Sequence, residues 1–136
     1  MAAEALPPLE PPFNMFDVDP CQTVTITITA WKFGTAVIKP RYVGAPPEKE
    51  VVILRLYAPK AQVVEQLAKI KRLPPGLPPA VRPEEVGVPP YWDIAQRRLQ
   101  EQLKPLLPAP GGPPVTVEIH KVGTPPRAFF SVRLIP

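Results

Sequence analysis

The sequence is short of the residues that most catalytic chemistry needs. It holds one histidine, His120, and one cysteine, Cys21. A nucleophile–histidine–acid triad therefore has one possible centre, and a disulfide within the chain is impossible. No CxxC, no HExxH and no second histidine exists to complete a nitrogen–sulfur metal set. Glycine is also sparse, and the Gly111-Gly112 pair runs into Pro113-Pro114, which donate no N–H to a phosphate. Asp17-Val-Asp19 lacks the glycine and terminal glutamate of a calcium loop. Glu84-Glu85 has no partner carboxylate at the spacing that glycoside hydrolysis uses. No apolar run approaches the ~20 residues of a membrane span. The first ten residues have neither the basic start nor the continuous apolar stretch of a secretory signal. These shortages predict a protein that is not an enzyme, holds no cofactor or metal, does not enter a membrane, and resides in the cytoplasm or in a virion.

Proline is what the chain has in excess. It supplies 24 of 136 residues, where average usage of ~5% predicts about seven. Eight Pro-Pro pairs punctuate the sequence, nearly all between periodic segments, because proline lacks the N–H that ladders and helices use. With two methionines and one cysteine, these stiff loops resemble thermophile composition. At 45% hydrophobic, the chain is long enough for one modest core.

Between the prolines the periodicity predicts an α+β fold: an extended arm over residues 1–20, then one compact domain over 21–136. Residues 23–31 alternate apolar and threonine, with Val24, Ile26, Ile28 and Ala30 on one face. Lys32-Phe33-Gly34 reads as a short hairpin loop, residues 35–43 as the returning strand, and 50–58 as a third strand with Val52, Leu54 and Leu56 inward and Arg55 outward. Pro59 opens a helix over 60–72, with Val63, Val64, Leu67 and Ile70 at helical spacing. Residues 73–90 form a Pro-rich crossover. A second helix is expected over 91–104, with Trp92, Ala95, Leu99 and Leu103 inward and Asp93 paired with Arg97 outside. Strands over 115–122 and 127–135 close the chain, adding Val117, Ile119, Phe130, Val132 and Leu134 to the core. The expected architecture is a mostly antiparallel five-stranded sheet in the order β-β-β-α-α-β-β, with two helices.

Charge divides the chain unevenly. The arm holds Glu4, Glu10, Asp17 and Asp19 and no base, which leaves 16 bases against 8 acids in the remainder. It also carries Leu6, Leu9, Phe13, Met15 and Phe16, more apolar side chains than a solvated tail needs. An acidic, proline-stiffened, apolar-studded segment ahead of a basic body is suited to lie along a protein surface, its own or a neighbour's. Leu6, Leu9, Phe13, Met15, Phe16, Asp17 and Asp19 are the expected partner-binding residues. On the first hairpin Trp31, Phe33 and Tyr42 interleave with Lys32, Lys39 and Arg41, a pattern that single-strand stacking platforms use.

The layout, a β-rich body with an extended arm, stiff loops and no active site, looks like that of small accessory proteins of assembled particles. Capsid-decoration and head–tail joining proteins of viruses share that plan. The resulting expectation is a structural protein whose arm docks on a neighbouring subunit, self-associating or joining a larger assembly, most concretely a virion accessory protein of a thermophilic phage. The alternative is a small nucleic-acid-binding or RNA-polymerase-binding regulator acting through the basic hairpin.

Overall fold

The computed structural model describes residues 6–38, 43–44, 47–77, 82–123 and 128–136. The elements are β1 (Thr23–Ile28), β2 (Ala30–Ile38), β3 (Lys49–Tyr57), α1 (Lys60–Lys69), β4 (Tyr91–Ile94), α2 (Arg97–Leu103), β5 (Val115–Val122) and β6 (Phe129–Ile135). The fold is α+β with two helices, but the single five-stranded sheet is replaced by two sheets of three strands each, β1-β5-β6 and β2-β3-β4. All pairings are antiparallel.

The correction originates at Thr29. Residues 23–38 run on without a hairpin, and Lys32-Phe33-Gly34 lies inside β2 rather than in a loop. Thr29 donates its N–H and its hydroxyl to the Tyr57 carbonyl at 2.9 and 3.2 Å, which hands the chain from one sheet to the other. The inward phase changes there. Val24, Ile26 and Ile28 are buried, Ala30 is exposed, and Trp31 and Phe33 pack against the core instead. A strand that changes sheets turns the corner of a sandwich.

The second correction concerns residues 91–94. Spacing of Trp92, Ala95 and Leu99 imitates a helix, yet Tyr91–Ile94 forms β4, pairing Leu54 with Ile94, Arg55 with Asp93 and Leu56 with Trp92. α2 begins only at Arg97. The buried Gln100 amide fixes this turn, donating to the Ile94 carbonyl at 2.7 Å and the Val52 carbonyl at 2.9 Å.

Both sheets give their apolar faces to one core: Val24, Ile26, Ile28, Val117 and Ile119 from the first, Leu54, Leu56, Trp92 and Ile94 from the second. Val63, Leu67 and Ile70 of the α1 region and Leu99 and Leu103 of α2 close it. Phe130 and Val132 pack at its margin. Two expected core residues do not belong to it: Val52 is 44% and Leu134 51% exposed. Helix α1 ends at Lys69 and is capped by Ile70, followed by Lys71 in the left-handed region (φ 60°), with the Arg72 N–H returning to the Leu67 carbonyl at 2.8 Å. That six-to-one closure satisfies a terminal carbonyl.

The threonine face of β1 is half-buried and partly bonded. Thr27 Oγ1 lies 3.1 Å from Thr116 Oγ1 and accepts from Gln62 Nε2 at 2.9 Å. Thr23 Oγ1 lies 2.7 Å from His120 Nδ1.

Candidate interaction site

Proline dictates how the arm binds. Pro7, Pro8, Pro11 and Pro12 have no N–H, so this segment offers mainly carbonyl acceptors, and the body supplies the donors. At the rim of β2 the Pro7 carbonyl accepts from Thr35 N at 3.0 Å, and the Leu9 N–H donates to the Thr35 carbonyl at 2.9 Å. The arm then crosses the outer face of the second sheet. Arg55 Nη1 donates to the Glu10 carbonyl at 2.9 Å, and the Tyr91 hydroxyl donates to the Pro12 carbonyl. At the rim of β4, Asp93 N donates to the Asn14 carbonyl and Phe16 N to the Asp93 carbonyl, both at 2.8 Å. Gln96 Nε2 reaches the Phe16 carbonyl and Lys121 Nζ the Val18 carbonyl. The arm thus lies on its own body, strapped across both rims of one sheet.

Beneath the strap sits a buried ion pair. Arg55 Nε and Nη2 donate to Asp93 Oδ1 and Oδ2 at 2.7 and 3.2 Å, the two-pronged geometry that suits guanidinium and carboxylate. Asp93 Oδ2 also accepts from Asn14 N at 2.9 Å, tying the pair to the arm. The guanidinium lies 3.9 Å from the Tyr91 ring centroid and 5.4 Å from that of Phe13. Burial opposes the guanidinium charge, but the hydrogen bond to Asp93 and its charge outweigh that, so Arg55 holds its proton more tightly than usual. Burial pushes the Tyr91 phenol up, partly offset by the Arg55 charge. Arg55, expected to face outward, is buried because the arm roofs that face.

Gly34 is the contact that lets the arm approach. A Cβ there would stand 2.5 Å from the Leu9 side chain and 2.8 Å from the Pro7 carbonyl oxygen, a backbone atom that moves only if the arm does. Leu9 fills this spot against Ala36 and Ile53. Gly34→Ala is therefore expected to cost ~1–3 kcal/mol as overpacking and to raise proteolytic cleavage within residues 6–20 while the body stays folded. Unchanged cleavage and thermal unfolding would show that the arm does not need this contact.

Of the arm residues singled out from sequence, Leu9 and Phe16 are buried in the body, along with Val18. Leu6, Phe13 and Met15 stay 38–39% exposed. Asp19 and Asp17 lie 2.8 and 3.6 Å from Arg72 Nη2, at the surface. The hairpin set divides. Trp31 and Phe33 turn toward the core, Trp31 donating to the Pro108 carbonyl at 2.7 Å, whereas Lys32 projects from the opposite face of β2 toward the Tyr57 ring. Lys39, Arg41 and Tyr42 lie outside the described residues. The residues that position the arm, Arg55, Tyr91, Asp93 and Gln96, were not candidates. Their one sequence signal is a lone charge inside each of two apolar runs, Val-Val-Ile-Leu-Arg55-Leu-Tyr and Tyr-Trp-Asp93-Ile.

An open groove of about 650 Å³ runs beside the start of β3, lined by Leu6, Phe33, Val52 and Ala95 and by charges of both signs: Lys49, Arg97 and Lys104 with Glu50 and Glu101. His120 bonds Thr23, and Cys21 is exposed. Among the described residues no group of three metal-ligating side chains gathers, and no helix is long and apolar enough to cross a membrane. The chain matches no family model, no curated protein and no solved structure, so its reading rests on its own residues.

Proposed function

We propose that this is a non-catalytic assembly protein whose strapped arm presents Leu6, Phe13 and Met15 to a neighbouring subunit. The observation that supports it is the division of labour along the arm. Leu9, Phe16 and Val18 are spent on the chain's own body, while Leu6, Phe13 and Met15 remain more than a third exposed on a backbone already held in register. A pre-ordered apolar segment loses little conformational entropy on docking, which favours tight association. Such a contact recruits further copies into a larger particle, and a virion accessory component of a thermophilic phage is the most concrete particle of this kind, by analogy of layout.

The test follows from exposure. Phe16 is a core residue whose truncation would destabilise the body itself, so the informative variant is Leu6→Ala with Phe13→Ala and Met15→Ala. Static light scattering over a concentration series is expected to show species larger than a dimer for the parent chain and their loss in the triple variant, which still unfolds cooperatively. Equal growth of the two proteins would sink the arm reading. The competing reading, a nucleic-acid-binding or RNA-polymerase-binding regulator, draws on the body's excess of 16 bases over 8 acids. It requires DNA, RNA or polymerase binding, with nucleic-acid affinity falling steeply as salt rises.

A further inference from the structure

Each three-stranded sheet has two rims, and every second residue of a rim strand points its N–H and C=O outward. Three of the four rims are bridged by other segments at one or two residues each. The arm bridges β2 at Thr35 and β4 at Asp93. On β1, the Gln66 and Gln62 side-chain oxygens of α1 accept from the N–H groups of Thr25 and Thr27 at 3.0 and 2.7 Å. On β6, among the described residues, one bond reaches the rim: Gln102 Nε2 donates to the Phe130 carbonyl at 2.9 Å.

The phase of that rim follows from the register. Thr25 and Thr27 turn their amides to α1, so Val24 and Ile26 bond to Ile119 and Val117 of β5. Alternation then points Glu118 and His120 toward β6, where they face Arg133 and Ser131. Phe130, Val132 and Leu134 are left with outward backbone groups, in agreement with the Gln102 bond. The usual protections are missing here. Phe129–Ile135 contains no proline and no lysine, its one charge, Arg133, is engaged by Glu118 at 3.2 Å, and Phe129 and Leu134 are 54% and 51% exposed.

We infer that β6 pairs antiparallel with β6 of a second copy about a two-fold axis at Val132, fusing two three-stranded sheets into one of six strands. The occupant is a second copy because the sequence of β6 is complementary to itself in this register. Val132 faces Val132, Phe130 faces the second copy's Leu134, Phe129 faces Ile135, and Arg133 faces Ser131. Every apolar residue meets an apolar one, and both exposed side chains are covered. Neighbouring registers are worse. One residue toward the C-terminus sets Arg133 against Arg133, and two residues set Val132 against Pro136, which has no N–H to donate. One residue toward the N-terminus opposes Phe129 to Arg133. In the Val132 register, Phe130, Val132 and Leu134 exchange both backbone hydrogen bonds with their facing residues. The Phe130 carbonyl keeps Gln102 on its other lone pair. The exposed arm residues Leu6, Phe13 and Met15 lie along the other sheet, so this contact does not use them; the arm meets β6 through buried Phe16, whose ring centroid is 5.9 Å from that of Phe130.

The test uses the full chain and two variants, Leu134→Lys and Val132→Pro. Val132 directs its amide outward, so the proline removes an intermolecular donor and no bond within the chain. The parent is expected to reach at least twice the 15.0 kDa chain mass at low micromolar concentration, and the arm variant twice that mass. Each variant should weaken that dimer about tenfold or more. Hydrogen exchange on the parent supplies a readout that needs no variant: the Val132 and Leu134 amides should be protected in the dimer and lose protection on dilution to monomer. A parent that stays monomeric, whether or not β6 captures a strand of another protein, overturns the inference. So does rapid exchange of those two amides in a dimer, or a dimer indifferent to both substitutions. The arm variant Leu6→Ala/Phe13→Ala/Met15→Ala should leave this dimer intact, so the two readings fail separately.

Discussion

Asp93→Ala is expected to destabilise the fold by about 3–5 kcal/mol, the range for removing one partner of a buried ion pair. The loss has two sources. Arg55 would keep its charge in a site sealed by the arm, with the Glu10 carbonyl and the Tyr91 and Phe13 rings as its remaining neighbours. Asn14 N would lose the carboxylate oxygen it bonds at 2.9 Å. Because the pair is itself costly to bury, replacing both members with apolar residues, Arg55→Met with Asp93→Leu, should recover most of the loss. Chemical denaturation of the three proteins decides the matter. A loss under about 1 kcal/mol for Asp93→Ala would mean that water reaches Arg55 despite the strap. A double variant as unstable as the single one would show that the arm's bonds, rather than the stranded charge, carry the effect.

Trp92→Ala should cost about 3–5 kcal/mol, the usual price of truncating a buried aromatic. Trp92 is fully buried and meets the arm's Phe16 edge-to-face, with centroids 5.7 Å apart. Truncation would open a cavity at the junction of sheet, arm and core. Trp92→Phe is expected to behave differently. The indole Nε1 is buried without a hydrogen-bond partner in the protein, so the phenyl ring keeps much of the contact area while removing an orphaned donor. The alanine variant should therefore fall well below the phenylalanine variant in thermal unfolding. Equal losses would show that a phenyl ring does not replace the packing of the larger indole.

The legible part of the fold follows local rules. Alternation over 23–28, 50–57, 115–122 and 129–135 announces strands because successive side chains point to opposite faces. The stripe of Val63, Val64 and Leu67 announces α1 for the corresponding helical reason. The prolines of residues 7–20 exclude a helix and announce an extended arm. Each of these depends on neighbours a few residues away, and such information is written in order along the chain.

What only the tertiary structure decided are the questions of who covers whom. The alternation of 23–31 and 35–43 reads as two strands of one sheet joined at Lys32-Phe33-Gly34, and the handover at Thr29 depends on the carbonyl of Tyr57, 28 residues later. Tyr91–Ile94 has helical spacing on paper, yet it becomes a strand because β3 has a free rim and Arg55 demands a carboxylate beside it. Arg55 lies where period-two alternation sends it, on the face opposite Leu54 and Leu56. That face is interior only because residues 9–16 return across it, and Gly34 is small enough to admit them. Leu134 likewise alternates with the core but lies on an uncovered rim, where burial depends on a neighbour. Periodicity states which side of a strand a residue occupies, and only packing between distant segments states whether that side meets water.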